Sequence, residues 1–338
     1  MKKVYFRFMD KQRERQSNME LLRIVSMMMV LAVHLDGASL GLPDLDGNPA
    51  GATARDWWRL AVEALAITGV NCFTMISGYF GIRLTVRGAV SFLLQCAFYS
   101  VGLYSVLAPL AGSFTLQGWA ESWLVLTHTD LWYVPAYFLL MIVSPVLNAG
   151  LDSLGRRLYA WRLALSALLT VWAGWWWGCA FNPTGYTAWQ LVLVYAVARY
   201  VRRFGRRPRR RVAAGVFVAA TLCIVADACY DLPRAYAYNS PFVLVATVAL
   251  FMLFRGMKFR SAFVNRIASG AFAVYLIHKN PLIWGGVIKR ASAAAWDALP
   301  LWEFSLLMLA AMAAIYAACM AVDLVRRRLF ALIGIARG

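Results

Sequence analysis

Apolar residues fall into ten long runs, approximately 21–40, 58–81, 89–110, 131–150, 163–181, 187–204, 212–231, 240–256, 262–285 and 301–325. Each approaches the roughly 20 apolar residues that a helix needs to cross a bilayer's hydrocarbon layer. The segments between them alternate in sign. Basic clusters stand at Lys2 to Arg15, Arg83 and Arg87, Arg156/Arg157/Arg162, Arg199 to Arg211, Arg255 to Arg266, and Arg326 to Arg328 with Arg337. The gaps between these clusters carry acids instead: Asp36, Asp44, Asp46 and Asp56, then Glu121 and Asp130, then Asp231, then Asp297 and Glu303. Lys and Arg collect on the cytoplasmic side of membrane proteins. The alternation therefore predicts an all-α polytopic membrane protein of about ten transmembrane helices with both termini cytoplasmic. Only Arg55, Arg59, Arg234, Lys279, Lys289 and Arg290 fall on the outward side, and Arg23 lies inside the first run. The stretch 111–130 has an apolar patch too short to span, which predicts an interfacial or re-entrant piece.

Composition narrows the class. The chain of 338 residues is 62% hydrophobic and 15% charged, with mean hydropathy +0.61, where soluble domains carry about 25% charged residues. That excludes an ordinary soluble enzyme, a disordered chain and a secreted disulfide scaffold. The net charge of +18 is spread over the loops rather than gathered on one groove-facing surface, so no nucleic-acid partner is expected. Trp161, Trp172, Trp175, Trp176, Trp177 and Trp189 suit interface anchors, with sugar stacking as the alternative. Arg23 and His34 inside the first run argue for a retained span rather than a cleaved signal. The expected organisation is a basic cytoplasmic segment over 1–20, one membrane-embedded domain over 21–325 and a basic cytoplasmic tail over 326–338. Cys72, Cys96, Cys179, Cys223, Cys229 and Cys319 show no C-x-x-C spacing, and His34, His128 and His278 are scattered. No metal site is expected.

Ionisable residues at membrane depth mark function by default. Arg23 and His34 are 11 residues apart, three helical turns plus about 20°, so both point to one face about 16 Å apart along the axis. Glu20, Met27 and Val30 lie near the same stripe. Arg23 is close enough to the cytoplasmic end to snorkel. His34 is too deep for that, and its depth alone suits a packed histidine as well as a functional one.

Arg, ten residues, then His in the first span resembles the signature of the acyltransferase-3 family of integral membrane O-acyltransferases. VNCFTMISGYF at 70–80, LWYVPAYFLLMIVSPVLN at 131–148 and SGAFAVYLIHKNP at 269–281 resemble further segments of that family, in the same order and spacing. The chain lacks the Gly-Gly-Phe segment and the denser arginine motif of larger branches, which places it nearer the compact, single-domain branch. The resemblance implies an acyl-CoA donor, usually acetyl-CoA, and a hydroxyl acceptor on a cell-surface glycan or its lipid-linked precursor. It implies His34 as the central catalytic residue, with Arg23 its partner on the CoA side. Acyl transfer from a thioester to a sugar hydroxyl needs a base that titrates near neutrality, which suits histidine. A transient acyl-histidine serves equally.

Arg23, Arg83 and Arg87 sit at the predicted cytoplasmic mouth, where guanidinium groups bind phosphate bidentately. Arg83 and Arg87 fit ordinary topology signals as well. RYVRRFGRRPRRR at 199–211 reads as a loop held near anionic lipid headgroups, with attraction of acyl-CoA as a second role. Glu63, Tyr275 and His278 are acceptor-side candidates; Glu63 also suits a solvated interface residue, and His278 a structural one. Asn71, Thr74, Ser77 and Gly78 read as helix packing, and His128 and Asp130 as bystanders. No resident cofactor is expected, and the expected location is the cytoplasmic membrane of a bacterium. A secondary transporter of a lipid-linked sugar or small anion is the alternative, though no two similar halves are visible. A glycan polymerase or ligase is less favoured because the outward loops are short. For a glycan modified outside, donor and acceptor are expected to meet in a shared tunnel at His34.

Overall fold

Threonine and serine caps set where many of the helices begin. The computed structural model describes residues 15–45, 47–127, 130–206, 209–230 and 234–332. Asp46, His128, Asp231, Arg207, Arg337 and the basic residues before Arg15 lie outside the described residues. Fourteen helices organise the rest: α1 Ser17–Leu35, α2 Ala54–Ala66, α3 Gly69–Phe80, α4 Val86–Leu110, α5 Leu116–Glu121, α6 Tyr133–Ser153, α7 Arg156–Leu169, α8 Ala188–Phe204, α9 Arg210–Cys229, α10 Pro241–Arg255, α11 Ala262–Ala268, α12 Ala271–His278, α13 Lys289–Ala298 and α14 Leu301–Leu332. No strand occurs among the described residues. Thr53 and Asp56 form a reciprocal capping box at α2. Thr85, Thr115, Thr187 and Ser261 each accept a backbone N–H of the first turn of α4, α5, α8 and α11. Such caps satisfy donors that a helix start leaves without partners.

Every predicted span carries a helix, and six of the helical stretches are long and apolar enough to cross a membrane: 17–40, 54–80, 86–110, 133–153, 210–229 and 301–332. α10 is apolar but shorter. α1 runs through the middle, packed against α2, α3, α10, α11, α12 and α14. The second span breaks between α2 and α3, and Gly69 is the reason it lies so close to α1. A Cβ there would stand 2.7 Å from the Ser26 carbonyl oxygen. Gly78 does the same for α3 against α8, where a Cβ would run into the Tyr195 carbonyl. This is the close helix approach expected of that glycine.

Two expectations change. The run 262–285 does not continue as one span: it breaks at Ser269–Gly270 and stops at His278. Asn280 then caps a new helix, its side-chain oxygen accepting from Leu282 N–H at 3.1 Å with Pro281 in the first position. That helix continues through a π-helical turn at Trp284–Ile288 into α13, so Lys289 and Arg290 lie on a helix rather than in a loop. Asn-Pro carries both stop and start signals. Trp175 is no interface anchor. It is buried, and its indole N–H donates to the Arg234 carbonyl while Arg234 donates back to its own. The other five tryptophans of that set are exposed. Within 111–130 the chain forms α5, which lies against α4 through Tyr104 to Thr115 and Trp119 to Ser105.

One buried carboxylate is fully answered. Asp323 of α14 is buried and receives Tyr99 Oη–H at 2.7 Å, Arg326 at 2.8 Å and Arg327 at 2.6 Å. Three donors on one carboxylate supply the partners that burial otherwise removes.

Candidate active site

The helical period places Met27, Val30 and His34 on one face of α1, and all three line a cavity of about 40 Å³. Tyr133 and Trp132 from α6 and its approach, Phe73 from α3, and Phe272 and Tyr275 from α12 close it. That is room for a water molecule or two.

His34 meets His278 at this cavity. His34 Nδ1 and His278 Nε2 are 2.8 Å apart, and His278 Nδ1 lies 2.5 Å from the Val274 carbonyl. A carbonyl only accepts, so His278 Nδ1 carries a hydrogen. With both rings neutral, His278 Nε2 must then accept from His34 Nδ1–H. The chain of bonds leaves His34 Nε2 bare, on a residue that lines the cavity. His278 is buried at 1% exposure and is held by its own helix through an i to i−4 bond, so it is a fixed acceptor. The arrangement is that of a catalytic base oriented by a second group.

Below His34 a run of hydroxyl groups leads toward Arg23. The Tyr133 and Tyr137 rings stack with centroids 5.4 Å apart, and Tyr137 Oη is 3.1 Å from Ser77 Oγ. The Arg23 guanidinium pairs with Glu20 at 3.1 Å. A family model described as an acyltransferase domain, Acyl_transf_3, matches residues 16–321. The chain belongs to the acyltransferase-3 family. No curated protein and no solved structure matches it. It is thus a multi-pass membrane protein of an acyltransferase family.

Within this acyltransferase the residues singled out from sequence part company. His34, Tyr275 and His278 come together; the Tyr275 and His278 rings are 6.2 Å apart. Arg23 shares the face of α1 but does not line the His34 cavity. Arg83 and Arg87 are exposed at the start of α4, away from this cavity. Glu63 is buried at 4% exposure rather than solvated at an interface. Its Oε2 lies against Gly37, beside the pair formed by Arg59 Nε and Asp36 Oδ1 at 2.8 Å. Asn71 donates to the Tyr238 carbonyl at 2.9 Å, the packing role expected of it. Asp130 lines a second cleft, of about 530 Å³, with Tyr99, Tyr104, Glu121, Leu276 and Asn280.

The shared tunnel expected from the sequence is not an open passage in this conformation. The His34 cavity shares no lining residue with the 530 Å³ cleft. Aromatic side chains fill the space, and the partition is one residue thick: Tyr133 and Tyr275 face the His34 cavity, while their neighbours Val134 and Leu276 face the cleft. Sequence reasoning missed Tyr133 and Tyr137 as individual residues, although both stand in the quoted 131–148 segment. It also read Asp36 and Arg59 only as charges of the outward side, where the structure buries them together.

Proposed function

We propose that this protein moves an acyl group, acetyl in the first instance, from acyl-CoA to a hydroxyl of a cell-surface glycan or its lipid-linked precursor in a bacterial cytoplasmic membrane, with the basic end of the bundle facing the cytoplasm. The observation that carries this reading is the His34–His278 pair with the bare Nε2 at the cavity. An acceptor O–H gives its proton to His34 Nε2 as its oxygen adds to the thioester carbonyl. The tetrahedral intermediate then expels the CoA thiolate, which takes the proton back. His278 Nε2 accepts from Nδ1–H throughout and stabilises the transient imidazolium, much as an acidic partner does in a triad. In the covalent variant His34 Nε2 itself takes the acyl group and the acceptor oxygen displaces it. The partition between the two cavities has to part for either course, with the acceptor approaching from the 530 Å³ cleft.

The test follows the label from acetyl-labelled acetyl-CoA into membrane glycans and into the protein. Membranes would hold the wild type, His34→Ala or His278→Ala at matched expression. His34→Ala is expected to lower transfer about a thousandfold, the middle of the range for a positioned base. His278→Ala is expected to lower it roughly tenfold to a hundredfold, because the base remains without its orienting acceptor. Label on wild-type protein that chases into glycan selects the covalent variant. Folded wild-type protein that yields no CoA-dependent label in any glycan overturns the reading.

A further inference from the structure

α9 and α10 pack along one another, and their outer faces leave a groove of about 400 Å³. Val212, Ala213 and Val216 of α9 form one wall, and the stretch of α10 from Leu244 to Met252 forms the other. Side-chain size makes the shape. Ala213 and Ala249 are buried at its floor, while Val212, Val216 and Val245 are exposed along its rims. Every side chain that lines it is apolar. From Leu244 to Met252 the helix rises about 12 Å, most of the ~15 Å that the hydrocarbon of one leaflet occupies. A groove of that length suits one hydrocarbon chain, held by dispersion contacts because tail and wall are equally apolar.

Apolar grooves between membrane helices are commonplace, and the mouth of this one sets it apart. The Arg209 carbonyl accepts from Val212 and Ala213 N–H at 2.9 and 3.1 Å, which puts Arg209 one turn below the first residues of the groove. On the other wall α10 is capped by Gly256, one turn past Met252. The stem of Arg210 lies over that glycine, where a Cβ would stand 2.8 Å from Arg210 Cγ. Arg210 therefore bridges the ends of both walls, and Arg209 and Arg210 are exposed. Two cations stand where the groove meets the headgroup layer, the position that attracts an anionic lipid. We propose that the groove seats one acyl chain of an anionic phospholipid from the leaflet at the basic end of the bundle, with its phosphate at Arg209 and Arg210. The expected nearness of 199–211 to headgroups becomes a site that grips a tail as well as a charge. The groove shares no lining residue with the His34 cavity, and the assignment does not depend on the acyl-transfer reading. α10 also packs against α1 and α3, so a seated lipid braces the neighbour of the helix that carries His34.

The test counts the lipids that the full-length protein keeps in native mass spectrometry after release from nanodiscs of equal phosphatidylglycerol and phosphatidylcholine. Wild type is expected to keep one phosphatidylglycerol in preference to phosphatidylcholine by about thirtyfold, the scale of two basic side chains at an anionic surface. Arg209→Ala/Arg210→Ala is expected to lose that preference. Val216→Trp, which covers the groove from its rim, is expected to lower retention of phosphatidylglycerol at least tenfold. Val245→Trp on the facing wall is expected to repeat that loss, and the unfolding midpoint of each variant reports that it folds. Arg202→Ala/Lys258→Ala, at the same end of the bundle but off the groove, is expected to match wild type. A preference that survives Arg209→Ala/Arg210→Ala, or falls as far with Arg202→Ala/Lys258→Ala, is diffuse attraction and overturns the assignment. Retention unchanged by both tryptophans places the chain elsewhere and overturns it as well. A dimer that either tryptophan splits gives the groove to a second copy, and the proposal fails.

Discussion

The two ends of α1 treat charge in opposite ways. At its start, Arg15, Arg202 and Lys258 are exposed around a cleft that no carboxylate lines among the described residues. Just past its end, Asp36 is fully buried, answered by Arg59, with Glu63 behind Gly37. Water and salt screen the first group, so those cations cost the fold little and remain available to a visiting anion. The second group has been taken out of water, and Asp36 Oδ2, Arg59 Nη2 and Glu63 Oε2 still lack partners. Exposed charge of this kind burdens the fold little; buried charge of this kind ties together the segments just past His34.

Substitutions sharpen that contrast when ranked by their effect on stability. Asp36→Ala is expected to destabilise most, by about 3–5 kcal/mol, because it strands the Arg59 guanidinium in the interior. Thermal unfolding in nanodiscs reads this, and Asp36→Leu with Arg59→Met is expected to recover most of the loss. Tyr99→Phe comes next. It removes one of three donors to Asp323 and leaves two arginines in place, so about 1–2 kcal/mol is expected. An unfolding midpoint unchanged by Tyr99→Phe would mean that the arginines alone satisfy that carboxylate. Arg202→Ala and Lys258→Ala come last, within about 0.5 kcal/mol of wild type. A large loss of stability there would erase the distinction between the two ends.

The same contrast explains what the sequence made legible. His34 and Arg23 stood out because an ionisable side chain in an apolar run is conspicuous, and the helical period placed Met27 and Val30 beside His34 without any structure. The six basic clusters were equally plain. The pairing of His34 with His278 spans 244 residues, and no local pattern encodes such a meeting; only the ordered motif resemblance placed both residues in one family. Asp36 and Arg59 were misread for a different reason. Hydropathy counts each as polar and cannot see that the two satisfy one another inside the fold. The stop at His278 was missed although Asn280–Pro281 announced it, because the apolar residues beyond continue the run.

The thin partition beside His34 has a consequence for timing. Leu276 of the wall and His278 of the pair belong to the same short helix, α12. Any roll of α12 that joins the two cavities also carries His278 away from its 2.8 Å contact with His34. On the proposed function, admission of the acceptor through that side and readiness of the base would therefore be successive events, and water that slips in while the gap is open would meet a histidine not yet oriented to use it.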